Sequence, residues 1–439
     1  MRIIREADPI ISQICGPQIK TEADYRWTKH MLIVTCDEGK LLYNTFTGEL
    51  LLLEAGDDEK LCRDELIRKR YLVPKDFLEN RYEDEMRKIA GLFSTKPANI
   101  TKFTVLTTTD CNARCYYCYE KGIPRIRMNE KTAVDVGKYI SRASGGNKVK
   151  LSWFGGEPLY NLPAIDIICG YLRCQDIPYY SNMVSNAYFL EPLVIEKAVN
   201  DWMLENIEIT IDGTREVYKR TKAFVNAVDD PLERVMKNID NALDAGIEIV
   251  VRLNMDADNA DDLLRLCDIM KDRWGGKSGL SVVAVLLRTF AGKIRSFKTE
   301  EIAVERYFQL YDKLEKSDLL LKQEYLEHQL YGNRCMADSD SSEVILPDGR
   351  IAKCEHFDEN EVVGSIYDPT RNEEILRSWK EYGEDYEECK TCEFYPRCKR
   401  LTKCPWHMGG CELSKRLIAK RRLERQILRA YEESKKGKE

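Results

Sequence analysis

Between Lys102 and about Arg288, six short apolar runs alternate with segments of helical period: KFTVLTT, VKLSWF, YYSNMVS, IEITI, IEIVVRLN and SVVAVLL. Strands that alternate with helices imply a parallel sheet, right-handed crossovers and helices covering the outside, and six such repeats suggest a partial barrel. Two of the helices can be bounded. One begins at Asn129 and presents Ala133, Val136 and Ile140 on a single face; another carries Val235, Ile239, Ala242 and Leu243 and stops at Gly246. In barrels of this type the chemistry sits at the C-terminal ends of the strands. The segment CNARCYYC directly follows the first strand.

The flanks read differently. From Met31 to Glu54, MLIVTCDEGKLLYNTFTGELLLLE gives three apolar runs split by glycine-containing turns, with a helical stretch near Asp58 to Arg70. This predicts a small β-hairpin and helix module, followed by a charged bridging helix from Arg81 to Lys96. The last stretch places Leu413, Leu417, Ile427 and Tyr431 near helical spacing, which predicts a terminal helix packed on the body with a solvated basic face. Lys plus Arg number 68 against 74 Asp plus Glu, a net charge of −6 that gives no reason to expect nucleic acid as a partner. The first residues lack a long apolar stretch, and no run approaches the ~18 apolar residues of a membrane span, so a cytoplasmic protein without membrane insertion is expected.

The 439 residues include 16 cysteines. In a large chain without a secretory signal, such cysteines read as metal ligands or reactive thiols. Cys111, Cys115 and Cys118 form one group; Cys335, Cys354, Cys389, Cys392, Cys398, Cys404 and Cys411 form another. Cys15, Cys36, Cys62, Cys169, Cys174 and Cys267 are scattered and read as small buried hydrophobes. A structural zinc site wants four protein ligands. Three thiolates leave one metal position open, and in a cubane cluster that open iron is able to bind a substrate or cofactor.

CNARCYYC resembles the CxxxCxxC signature of radical S-adenosylmethionine (SAM) enzymes, with Tyr117 in the aromatic place before the third cysteine. Later strand ends follow the same family's order. WFGGEP is similar to its GGE segment, which binds the amino group of SAM; Gly155 and Gly156 allow close backbone approach, and Glu157 or nearby carbonyls accept from an ammonium. MVSNAYFL is similar to the TNG-type segment, placing Ser185 and Asn186 for the ribose or carboxylate, with Ala187 where glycine is more usual. ITIDGT is similar to the SLDG stretch, in which Asp212 either faces substrate or belongs to an Asp-Gly turn. Arg252 and Asn254 lie on one side of the fifth strand, directed to cofactor or substrate or else forming a polar network inside the barrel. The resemblance implies a [4Fe-4S] cluster on Cys111, Cys115 and Cys118, with SAM on the fourth iron.

The second cysteine group resembles the SPASM domain of radical SAM enzymes that modify peptides, which carries two auxiliary [4Fe-4S] clusters. Cys389-x2-Cys392-x5-Cys398 fits that pattern, but Cys398 to Cys404 is longer than usual. The resemblance implies one cluster on Cys389, Cys392 and Cys398 with either Cys404 or Cys411, and another on Cys335, Cys354 and the remaining cysteine. Glu355 occupies the place where relatives acting on sulfatases carry an acid thought to accept a substrate proton; a hydrogen bond to cluster sulfur or backbone is the alternative.

The expected architecture is therefore α/β. It has an N-terminal module over residues 1–96 that is similar to leader-recognition segments, a partial (β/α)6 TIM-type barrel over 97–320, a SPASM domain over 321–411 and a C-terminal helix over 412–439. The expected activity is a radical SAM peptide maturase that uses SAM and three [4Fe-4S] clusters. It installs an intramolecular crosslink, first of all a thioether, in a short cysteine-containing ribosomal precursor peptide, with electrons from a flavodoxin or ferredoxin. Carbon-carbon crosslinking, epimerisation and formylglycine formation in sulfatases are the enzymatic alternatives. A zinc-binding peptide-recognition module is the alternative from another class.

Overall fold

The computed structural model describes residues 1–7, 24–57, 62–79, 81, 99–289, 295–321, 335–356, 359–381, 387–394, 403–404 and 411–436. The bridging segment expected over Arg81 to Lys96 lies almost wholly outside these residues, as do Cys15 and Cys398.

The N-terminal module contains strands β1 (Arg2–Arg5), β2 (Tyr25–Trp27), β3 (Met31–Cys36), β4 (Gly39–Asn44) and β5 (Leu50–Glu54), helix α1 (Arg63–Arg68) and strand β6 (Leu72–Pro74). Four strands form an antiparallel sheet in the order β1-β5-β4-β3, and β2 pairs with β6. Both faces of the larger sheet are covered, which explains why its strands read as unbroken apolar runs. Leu41, Tyr43, Leu50 and Leu52 share one core with Leu423, Ile427 and Tyr431 of the C-terminal helix. Leu42, Leu51 and Leu53 point the other way, against Leu66 and Tyr71.

All six strands expected from the apolar runs form: β7 (Lys102–Thr108), β8 (Val149–Gly155), β9 (Tyr179–Ser185), β10 (Leu204–Thr210), β11 (Glu248–Met255) and β12 (Leu280–Leu286). Between and after them lie α2 (Glu130–Ser144), α3 (Leu162–Cys174), α4 (Pro192–Asn200), α5 (Arg215–Lys222), α6 (Pro231–Asp244), α7 (Ala260–Trp274) and α8 (Glu300–Lys316). Their ends carry recognisable chemistry. The Asn129 side chain accepts from the Thr132 amide to start α2, which ends on left-handed Gly145, and Asp230 with Pro231 starts α6.

These strands are successive parallel neighbours, and their outward-facing residues pack under the helices. The other face is half-open and polar: Lys150 and Ser152 on β8, Asn182 on β9, Asn206, Glu208 and Thr210 on β10 and Arg252 on β11 are only partly buried. This is the concave side of a barrel-like sheet that does not close on itself among the described residues.

One element was not legible beforehand. Strand β13 (Ser342–Ile345), which opens the cysteine-rich region, runs parallel beside β7 with Ser342 opposite Lys102, so this region grows directly out of the barrel sheet. Strands β14 (Arg350–Ala352), β15 (Gly364–Ser365) and β16 (Asp368–Arg371) extend it antiparallel, before α9 (Glu373–Ser378). A buried knot pins the junction: the Tyr139 hydroxyl donates to Glu343 Oε2 at 2.5 Å and accepts from Arg371 Nη2 at 2.7 Å.

Helix α10 spans Leu413–Lys436, and part of its basic face is paired and not solvated. Arg425 pairs with Asp312 and Glu315 of α8 and, with Arg421, covers the Phe308 ring at 5.0 and 5.3 Å. Long arginine stems cover apolar rings while their heads stay paired, so a basic stripe need not be a solvated one. No helix among the described residues is long and apolar enough to cross a membrane.

Candidate active site at the strand ends

The loop after β7 carries Cys111, Cys115 and Cys118. The three thiols are largely buried, and burial pushes each above the ordinary thiol value, with the neighbouring thiols adding to the effect at Cys111 and Cys118. Burying several thiolates together is costly without a cation, so this donor set fits a metal group rather than three free thiols.

The loop after β8 is pressed against the cysteine loop, and glycine permits it. Gly155 has φ +114°, and a Cβ there would lie 2.1 Å from the Thr108 carbonyl oxygen; one on Gly156 would lie 2.3 Å from that of Asp110. The following amides close the seam, Gly156 N–H donating to Thr108 O and Glu157 N–H to Asp110 O, each at 3.0 Å.

Glu157 is 1% exposed. Its Oε1 accepts from the Ser185 hydroxyl at 2.7 Å and the Leu159 amide at 3.1 Å, and its Oε2 from the Asn186 amide at 2.8 Å. Burial still pushes its pKa up to about 7, because these donors only partly offset the lost hydration. The sequence-predicted residues Glu157, Ser185 and Asn186 therefore form one hydrogen-bonded unit. Asn186 joins it to the cysteine loop, its Nδ2 donating to Asn112 Oδ1 at 2.8 Å and lying 3.8 Å from Cys111 Sγ.

Ala187, next in the chain, is fully buried in a left-handed conformation at φ 57°. That backbone costs an L-residue roughly 1–2 kcal/mol, partly balanced by the entropy glycine would lose. Ala187→Gly is expected to leave unfolding stability unchanged or raised by about 1 kcal/mol, whereas Ala133→Gly inside α2 lowers it by about the same amount. Chemical denaturation of the two variants checks this.

On the opposite side, Tyr117 donates its hydroxyl to Asp212 Oδ2 at 2.6 Å. Lys222 on α5 lies 2.7 Å from the same oxygen and donates to the Tyr117 oxygen at 3.0 Å. Asp212 and Lys222 are 0% and 1% exposed. Burial opposes the Lys222 charge, but Asp212 and Tyr117 outweigh it and hold its pKa well above the ordinary amine value. Asp212 Oδ1 is buried without a hydrogen-bond partner.

Arg252 bonds Asn254 Oδ1 and Glu208 Oε1, each at 3.0 Å, and Asn254 Nδ2 reaches the Tyr117 hydroxyl at 3.3 Å. The two readings of Arg252 thus meet: it belongs to a polar network inside the barrel, and that network ends on Tyr117.

The second cysteine group divides in two. Cys335 and Cys404 pack against Ala337, Cys354 and Trp379. Cys389 and Cys392 pack together, and the charge of Cys389 is one of the influences that, after burial, raise the Cys411 thiol. Cys404 thus packs with Cys335 and Cys354. Glu355 stays beside its chain neighbours: its Oε2 lies 3.8 Å from Cys354 Sγ, and its Oε1 4.0 Å from His356 Nε2. The His356 ring sits 4.0 Å from that of Tyr119, which follows Cys118, so the two cysteine groups meet through an aromatic contact.

Lys222, Asn112 and the Tyr119–His356 contact escaped sequence reasoning. A signal existed for Lys222: it lies four residues after Tyr218, on the buried face of a strongly amphipathic helix. A lysine on an apolar stripe asks for a buried acid.

Residues 105–270 match the sequence pattern of the Radical SAM superfamily. The chain is 28% identical over 151 residues to a probable GTP 3′,8-cyclase of Methanococcus maripaludis, which is 34% of this chain and 47% of that protein. It is 26% identical over 163 residues to a GTP 3′,8-cyclase of Clostridium perfringens, 36% of this chain and 49% of the relative. The chain thus spans about half the length of the curated relatives it matches. Two solved structures share its fold more widely. Native anSMEcpe with bound AdoMet and Cp18Cys peptide superposes with TM-score 0.58 at 13% identity, over 77% of this chain and 99% of that one. Streptococcus suis SuiB bound to precursor peptide SuiA superposes with TM-score 0.52 at 12% identity, over 88% and 95%.

Proposed function

With a radical SAM domain over residues 105–270 as the premise, we propose that this chain is a peptide maturase that installs an intramolecular crosslink, a thioether first of all, in a short ribosomal precursor. The observation that carries this reading is the extent of the fold likeness. It reaches over 77% and 88% of the chain, well past the radical SAM domain, to two proteins solved with peptides bound. The cysteine-rich region packed against the barrel supports it.

The residues fit the implied cofactors. Cys111, Cys115 and Cys118 would hold the [4Fe-4S] cluster, and Glu157, Ser185 and Asn186 would lie at the methionine end of SAM; Gly155 and Gly156, expected to admit the cofactor, instead let the backbone of the cysteine loop approach, and Tyr117 and Asp212 lie on the opposite wall. Asp212 Oδ1, a buried acceptor without a partner, suits a ligand hydroxyl or ammonium. Bound there, SAM and the cluster would supply the radical chemistry that removes a hydrogen atom from a substrate carbon. The protein's own share is positioning and the exclusion of water.

Closing a carbon-sulfur bond then releases the thiol proton and one electron. In this reading Glu355 takes the proton, and the electron would go to an iron-sulfur group that the second set of cysteines would hold. Cys335, Cys354 and Cys404 hold the cluster nearer the barrel, and Cys389, Cys392, Cys398 and Cys411 the other. The four regions keep the boundaries 1–96, 97–320, 321–411 and 412–439; the N-terminal sheet binds the precursor's leader by strand addition, and a flavodoxin or ferredoxin delivers the first electron.

The test is mass spectrometry of a cysteine-containing precursor encoded beside this chain, after anaerobic reaction with iron-loaded protein, SAM and reductant. The expected product has lost two hydrogens and one alkylatable cysteine. Formation of 5′-deoxyadenosine with an unchanged peptide mass would retain the radical chemistry and overturn the crosslink.

A further inference from the structure

Asn112 lies between the first two cysteines and is 4% exposed, yet its Nδ2 is buried without a hydrogen-bond partner. The amide cannot simply be turned around. Asn186 Oδ1 accepts from the Tyr188 amide at 3.0 Å, which fixes the Asn186 carboxamide with its Nδ2 toward Asn112. Asn112 must therefore present its oxygen to Asn186 and its NH2 elsewhere. A buried donor left unmade costs about 1–3 kcal/mol, so such an atom points to an acceptor that arrives with a ligand.

The chemistry of that acceptor follows from its neighbours. The Asn112 atom beside Cys111 Sγ, at 3.8 Å, is the oxygen, and Cys111 Sγ already accepts from the Ala113 amide at 3.3 Å, so Cys111 Sγ is not the acceptor for the Nδ2, which is left for another sulfur of the same group. The loop thus already directs one amide N–H at a cluster ligand. Hydrogen bonds to the sulfurs of an iron-sulfur group stabilise its reduced, more negative state and raise its reduction potential.

We infer that Asn112 is a positioning residue whose side-chain amide donates to a sulfur of the iron-sulfur group on Cys111, Cys115 and Cys118 and raises that group's reduction potential. The inference rests on the radical SAM reading of the site. A sulfide is the acceptor it commits to; the carboxylate of SAM is the competing anionic acceptor.

The experiment is a redox titration of the reconstituted full chain without SAM, followed by electron paramagnetic resonance, on wild type, Asn112→Leu and Asn112→Asp. Iron and sulfide are assayed first, and wild type without them at the three-cysteine site would overturn the cofactor reading itself. Given a loaded wild type, Asn112→Leu is expected to titrate at a more negative potential. Asn112→Asp keeps the acceptor for Asn186 and replaces the donor with a charge, so it is expected to fall further. Should Asn112→Leu fail to take up iron, the Asp variant alone decides, and an unchanged potential there overturns the proposal. Unchanged potential in a loaded Asn112→Leu, with SAM binding weakened, overturns the sulfur assignment in favour of the SAM carboxylate.

Discussion

Cys115→Ser is expected to fold, to lose the iron of the core site after anaerobic reconstitution, and to form 5′-deoxyadenosine at no more than background with any peptide. Burial raises the Cys115 thiol despite the opposing charge of Lys222. Serine keeps the size but offers a hard hydroxyl with a much higher pKa, a poor ligand for an iron-sulfur group. The control is Cys174→Ser, which changes a cysteine at the end of α3 that is exposed, contrary to the buried place its sequence suggested, and should leave iron content and cofactor cleavage as in wild type. Iron, acid-labile sulfide and 5′-deoxyadenosine are measured together. Full iron with full cleavage in Cys115→Ser would remove the three-thiolate site from the reaction.

What the sequence disclosed and what it withheld divide along the range of the interactions involved. The parallel strands were legible because their cores are local patterns: Val149, Leu151 and Trp153 alternate with half-open residues along β8. The cysteine loop was legible because its three cysteines fall within eight residues. Pairings between distant segments were not. β13 joins β7 across more than two hundred residues, and only the fold states that Ser342 meets Lys102. Similarly, that Cys404 packs beside Trp379 with Cys335 and Cys354 is a contact between distant segments that no spacing rule states. Asn112 failed for another reason: its significance lies in an atom left without a partner, which composition and spacing do not register.

Lys222→Met is expected to destabilise the chain by about 3–5 kcal/mol, the effect of stranding one member of a buried ion pair. Asp212 is 0% exposed and would keep only the Tyr117 hydroxyl as a donor; the loop would also lose the lysine's bond to Thr210 Oγ1 at 2.5 Å. Denaturant unfolding of both proteins measures it. In Lys222→Met/Asp212→Leu, where no charge is left unpaired, a substantial part of the loss should return. No recovery in the double variant would show that Lys222 acts through packing of its stem and not as the counter-charge of Asp212.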